Sequence, residues 1–376
     1  NERIKDTMIN NQLVPISTKK HNGIISFWKF CFCMMVVIFH SYAFVSSGEK
    51  TVFRQGYIAV EFFFLVSGFL LAKSALKKRE NDNLKNLGKE TLQFVAKKYL
   101  AFLPYVLFGG IIALILQNIL KHVGLYQNIS SVWDLLLLRM TGLKGNAVIG
   151  QAWYISAMLL SMLVLYPFLR KYKYNFIYLA APIIVLVGLG WMSQTYSRIN
   201  NPEVWTGFLF KGVIRAFVEL TLGCILYVVC QKLKQINFTK LGKLFITVIE
   251  IGGFIFPFLV AQFVSHTKFD FIILAILSIS VLLAFSEKTL EFRFMNNKVC
   301  FWLERFSLPL YLCHHIARNI VRDVNYINAM PYYTKLAIYL SITFAISLIC
   351  MYLIPFLQNK HLFSRFKKLV IQKNQS

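Results

Sequence analysis

The stretch KFCFCMMVVIFH, residues 29–40, is apolar enough for a bilayer, yet it opens on an ammonium and closes on an imidazole. Ionisable groups at membrane depth are costly and usually face the protein interior or a wet cavity. Eleven steps of ~100° make three turns plus ~20°, so Lys29 and His40 share one helix face, about 16 Å apart along the axis. Lys29 lies near one end, where snorkelling to the headgroups is an equally good explanation. The short imidazole of His40 has less reach, which leaves a cavity-facing group or a satisfied structural histidine.

This run belongs to the first of ten apolar segments, at about 24–45, 56–75, 99–120, 152–169, 175–193, 209–230, 244–264, 269–286, 305–324 and 335–357. Of 376 residues 57% are hydrophobic and only 15% charged. A soluble protein of this size cannot hide that much apolar surface, and windows of about 20 uncharged residues suffice to span the hydrocarbon. The expected fold class is an all-α polytopic membrane protein with about ten transmembrane helices. One transmembrane domain, 23–358, would lie between a polar segment, 1–22, and a basic tail, 359–376. The first apolar run follows a polar stretch and precedes no small-residue cleavage site, so the first span is expected to be retained. Seven cysteines sit mostly inside apolar segments without metal-finger spacing, which suits packing and gives no metal site.

The net charge of +25 is scattered between apolar segments rather than gathered in a basic domain, so it argues against a nucleic-acid partner and for a topology signal. With the N-terminus placed in the cytoplasm, 28 of the 41 lysines and arginines fall on inside regions and 12 on outside loops and helix ends. That alternation puts both termini in the cytoplasm and the chain in the cell membrane as a multi-pass protein. The loop 77–98 is long and basic, suited to an anionic cytosolic ligand or to anionic lipid headgroups. On the other side, SSVWDLLLLRM within 121–151 suits a short interfacial helix.

Glu61 lies some five residues into the second span, at the depth of His40, and the two helices should be antiparallel neighbours. A His40–Glu61 pair is therefore expected, either as a general base held in one tautomer by a carboxylate or as two costly groups satisfying each other. In the ninth span His314, Arg318 and Arg322 form an i, i+4, i+8 row on one face. His314 reads as cavity-lining, and His315 points some 100° away. Arg318 and Arg322 border water, bind anions or cap the helix end.

Lys29, ten residues and His40, followed by GYIAVEFFFLVSGFLL (56–71), resemble the acyltransferase family 3 integral-membrane acyltransferases. Phe63, Phe64, Ser67 and Gly68 match a motif of the second helix in that family, AWYISAML (152–159) resembles its tryptophan-centred fourth helix, and FSLPLYLCHH (306–315) supplies Ser307, Tyr311 and His314. The resemblance covers roughly 24–357. It implies transfer of an acyl group, usually acetyl from acetyl-CoA, onto a hydroxyl of a polysaccharide or glycolipid acceptor in the envelope. His40, with Glu61, would be catalytic. Lys29, Lys97 and Lys98 would hold the donor, and Ser67, Trp153, Tyr311, His314 and Arg318 would line the substrate cavity. Ser67 and Gly68 could equally serve close helix packing. AKKYLAFLP (96–104) departs from the family pattern, with Ala101 where a second basic residue is expected.

Two other functions remain open at this stage. Ten spans with intramembrane charge also suit a transporter or flippase, although no internal repeat or matched pair of broken helices is found. Acylation of a cytosolic small molecule is the other. Membrane lipids are the remaining expected partner, and a homo-oligomer stays open because lipid-facing and protein-facing apolar surfaces look alike.

Overall fold

Asn22 starts the first helix: its side-chain oxygen accepts the Ile25 N–H at 3.2 Å, satisfying a donor that the first turn leaves over. The computed structural model describes residues 22–359 apart from 47–48, 78–85, 144, 197, 265–268 and 291. Most of the expected N-terminal segment, nearly all of the basic tail, and part of the basic loop lie outside the described residues. Ten long helices follow in order: α1 Gly23–Phe39, α2 Ala59–Leu76, α3 Leu87–Lys121, α4 Trp153–Asn175, α5 Ala181–Tyr196, α6 Lys211–Leu233, α7 Lys240–Phe263, α8 Asp270–Ser286, α9 Lys298–Asp323 and α10 Tyr332–Asn359. Each of the ten apolar segments overlaps one of them. Short helices at Leu125–Ser130 and Val132–Leu135 occupy the loop where an interfacial helix was expected.

The fold is an all-α polytopic membrane fold, with seven helical stretches among the described residues long and apolar enough to cross a bilayer. The stretch 150–196 counts once among these, but its chain folds back. Backbone angles at Lys173 (φ 46°, ψ −122°) break the helix, and a turn of wider π-helix leads into α5. A straight 47-residue rod would be about 70 Å long. Instead both of its ends meet α6, where Lys211 lies 4.4 Å over the Tyr196 ring and Arg215 lies 5.7 Å over the Trp153 ring. α8 is shorter and α9 more charged than the seven, because α9 carries Glu304, Arg305, Arg318 and Arg322.

The loops sort to two ends, as the charge alternation requires. At one end Asn22 donates to the Ala284 carbonyl, Arg170 pairs with Glu90, and Lys234 pairs with Glu287. At the other, Arg139 pairs with Glu203, and the Ile199 N–H donates to Asp270. The first is called here the Lys29 end and the second the His40 end.

α2 and α6 approach almost backbone to backbone. A Cβ added at Gly68 would stand 2.1 Å from the Leu220 carbonyl oxygen, and one at Gly223 would stand 2.4 Å from that of Leu65. Small residues let membrane helices gain dispersion contact where lipid offers no hydrophobic drive. Cys224, one of six buried cysteines, adds an Sγ contact to the Gly68 carbonyl at 3.3 Å. Gly68→Ala is expected to cost about 1–3 kcal/mol, as overpacking does. Gly252→Ala, with nothing within 4 Å of the new methyl, serves as the neutral reference in detergent-denaturation curves.

Candidate functional site

Lys29, Cys33, Val36 and His40 follow a 4-3-4 spacing and so present one face of α1, continued into the 3₁₀ turn His40–Phe44. That face is divided between two cavities. Lys29 and Cys33 line a cavity of about 310 Å³ together with Ser67, Lys98, Glu304 and Tyr311. Val36 and His40 line a second, of about 520 Å³, together with Trp153, Arg215, Tyr311 and Arg318. Tyr311 borders both.

The cavity at the Lys29 end is mostly apolar, with walls that include Phe63, Phe94, Met158 and Met162. Its charged groups are Lys29, Glu304 and Lys98. Lys29 makes an ion pair with Glu304, which also accepts from Ser26. Lys98 lies 5.9 Å over the Phe94 ring. Lys97 is exposed on the helix beside it and does not line the cavity, so the three lysines expected to act together are separated into two and one. Ser67 faces this cavity and lies 3.1 Å from the Tyr154 hydroxyl, whereas its neighbour Gly68 serves the helix contact.

At the His40 end the expected His40–Glu61 pair is not formed. Glu61 is fully buried and turned to α6, where Arg215 binds it and also donates to Glu219 at 2.9 Å. Equal depth on adjacent helices sets height but not azimuth, and Arg215 offers Glu61 a full counter-charge in a dry position. His40 is held by its own helix: Nδ1 lies 2.8 Å from the Val36 carbonyl oxygen. A carbonyl only accepts, so Nδ1 carries the proton and Nε2 keeps its lone pair. The backbone thus supplies the tautomer control expected of the carboxylate.

The His314 ring lies 4.9 Å from that of His40, centroid to centroid, and is fully buried. It is anchored alike, with Nδ1 3.3 Å from the Leu310 carbonyl oxygen. Tyr311, one turn below, donates its hydroxyl to the Gln151 carbonyl at 2.7 Å, which ties α9 to the start of α4. Phe63, Tyr154 and Tyr311, all on the wall of the cavity at the Lys29 end, pack edge-on or tilted with centroids 6.0–6.4 Å apart. His315 is buried and binds Arg318, while Arg322 pairs with Asp323 at the helix end.

Sequence reasoning missed Arg215, Glu219 and Glu304. The first two are an i, i+4 Arg–Glu pair inside an apolar segment, a legible sign of a buried polar cluster. Among the described residues, no group of three or more His, Cys, Asp or Glu side chains could hold a metal ion.

One comparison with known proteins reaches across this architecture. The family model of an acyltransferase domain, acyltransferase family 3, matches residues 22–354 and so contains both cavities. Neither curated proteins nor solved structures give a match.

Arg215→Ala leaves two buried carboxylates facing each other and is expected to destabilise the fold by about 3–5 kcal/mol. Arg215→Met combined with Glu61→Gln and Glu219→Gln removes all three charges and should recover most of that loss in the same denaturation curves. A second expectation concerns Asp134, whose carboxylate accepts the Ile149 N–H at 2.6 Å and so positions Gly150 and Gln151 at the cavity wall. Burial pushes its carboxyl from 3.8 up to about 6. The folded state therefore binds the proton more tightly than the unfolded chain. The stability this contributes is complete below about pH 4 and is lost as pH rises through 6. Asp134→Asn should remove that part of the pH dependence, read as the difference between the two melting-temperature profiles from pH 4 to 7.

Proposed function

The chain belongs to the acyltransferase family 3 domain family, and from that membership we propose that this membrane acyltransferase moves an acyl group, acetyl in the first instance, from cytosolic acyl-CoA to a hydroxyl of an envelope polysaccharide or its lipid-linked precursor. The single observation that carries this reading is the pair of cavities on one α1 face, one holding Lys29 and the other His40, with Tyr311 common to both. The excess of basic residues at the Lys29 end supports placing that end in the cytoplasm and the chain in the cytoplasmic membrane.

In this reading the donor enters at the Lys29 end. Lys29 and Lys98 meet its phosphates, Glu304 releasing Lys29 as it does so, and the apolar walls take the pantetheine arm. A cavity of about 310 Å³ takes the arm and leaves the nucleotide outside. The acceptor occupies the His40 side. Its hydroxyl oxygen attacks the thioester carbonyl, His40 Nε2 takes the hydroxyl proton, and the carbon–sulfur bond breaks. His40 then returns the proton to the CoA thiolate. His314 packs against the His40 ring and holds its plane, while Glu61 acts at a distance by keeping Arg215 in the cavity wall.

The test is acyl transfer by the purified full chain in sealed vesicles, with radiolabelled acetyl-CoA on one side and envelope glycan on the other. Wild-type protein should move label into glycan. His40→Gln should lower the rate by about 10²–10⁴-fold, the usual worth of a positioned base, with unfolding unchanged. Wild-type transfer by His40→Gln would remove the histidine from the chemistry. Movement of glycan without consumption of acetyl-CoA would instead favour a flippase.

A further inference from the structure

The cavity beside His40 carries positive charge that is only partly offset by carboxylates among the described residues. Its charged lining residues are Arg54, Arg215, Arg318, Glu203 and, when protonated, His40. Arg215 is matched by Glu61 and Glu219 behind it, and Glu203 is bound by Arg139 at 2.8 Å. Arg54 and Arg318 remain, and among the described residues neither has a carboxylate within ion-pair distance. Arg54 is exposed, and its Nε donates only to Thr51 Oγ1 at 3.4 Å.

Arg318 is the more telling of the two. Among the described residues its Nη2 has only neutral partners, His315 Nε2 at 3.1 Å and Asn319 Oδ1 at 3.2 Å, and its buried Nε has none. A half-buried guanidinium is expensive to leave so poorly matched, and proteins ordinarily supply a carboxylate. The next arginine on the same face shows the ordinary arrangement: Arg322 binds Asp323 at 2.6 and 2.8 Å. Capping the helix end is therefore already done, and Arg318 points its charge into the cavity instead. A planar fork with free donors beside a reacting histidine fits the flat oxygens of a carboxylate or phosphate.

We propose that Arg318, with Arg54 at the rim, forms an anion subsite that selects an acceptor carrying a carboxylate or phosphate close to the hydroxyl to be acylated. This rests on the acyl-transfer reading for the identity of the ligand as acceptor, but not for the binding itself. The subsite also bears on the chemistry. Positive charge forms on His40 as it takes the proton, within electrostatic reach of Arg318. An acceptor anion on Arg318 offsets the repulsion between those two like charges. An uncharged acceptor leaves it in place, so the subsite favours charged acceptors in the transition state as well as in binding.

The experiment measures binding first, because it does not depend on transfer. The full chain in neutral phosphatidylcholine nanodiscs is titrated with a glucuronate-containing tetrasaccharide and with its methyl ester. Parallel titrations use glucose linked to a prenyl diphosphate and the uncharged prenyl glucoside. At least one charged probe should bind tenfold or more tightly than its neutral twin, a difference of about 1.4 kcal/mol. Arg318→Gln should abolish that advantage, Arg54→Gln should reduce it, and Arg318→Lys should retain part of it. Preference for the uronate or for the diphosphate identifies the source of the anion. Equal binding of charged and neutral twins, an advantage that survives Arg318→Gln in a folded protein, or no binding of either charged probe would overturn the proposal. Charge-selective binding without any acyl transfer would leave the subsite standing and remove the enzymatic reading instead.

Discussion

A guanidinium withdrawn from water in the middle of a helical bundle has to be met by charge, and here Arg215 is met by Glu61 and Glu219. All three side chains are fully buried where α2 meets α6, and the cluster fixes how the two helices rotate against each other. Buried ion pairs add little net stability, because desolvation consumes most of the Coulomb gain. Their effect is on register. With Glu61 on Arg215, α2 turns Ser67 to the cavity at the Lys29 end and Gly68 to α6. Arg215 itself lies over the rings of Trp153 and Phe64, which makes it part of the wall of the other cavity.

The same register sets the partition between the cavities. Tyr311 is tied to Gln151, and Tyr154 to Ser67, so Tyr311, which borders both cavities, and the rings packed on it are held by α2, α4 and α9 together. On the proposed acyl-transfer reading, Tyr311, the residue common to both cavities, would be where acyl group and acceptor meet.

The gross architecture was legible because it follows from hydropathy and charge. Apolar runs of about 20 residues have to become helices in lipid, and basic residues alternate between loops that do cluster at two ends. The reversal at Lys173 was legible as a break between two apolar segments, since RKYKYN interrupts hydropathy there. The face shared by Lys29 and His40 followed from helical spacing alone, but its division between two cavities did not, because that depends on where Tyr311 and Tyr154 arrive from α9 and α4. Glu61 illustrates the limit most directly. Its depth was readable from position along α2, while its direction depended on Arg215, 154 residues later in the chain. The Glu304 partner of Lys29 was hidden in the same way, by a contact across 275 residues.

His40, at the junction of an α-helix and a 3₁₀ turn, does without a carboxylate because its own helix backbone anchors Nδ1. The Val36 carbonyl accepts the His40 backbone N–H, and the imidazole folds back to share the same oxygen, with Nδ1 at 2.8 Å. His314, in the middle of α9, is anchored in the same way on the Leu310 carbonyl, so this contact does not require a helix end. The helix end has one consequence for charge. Proton uptake by Nε2 creates positive charge at the negative end of the α1 dipole, which favours it by a few tenths to about 1 kcal/mol. A carboxylate in contact would do so more strongly. A backbone anchor fixes the tautomer by itself, and it leaves Glu61 to pair with Arg215.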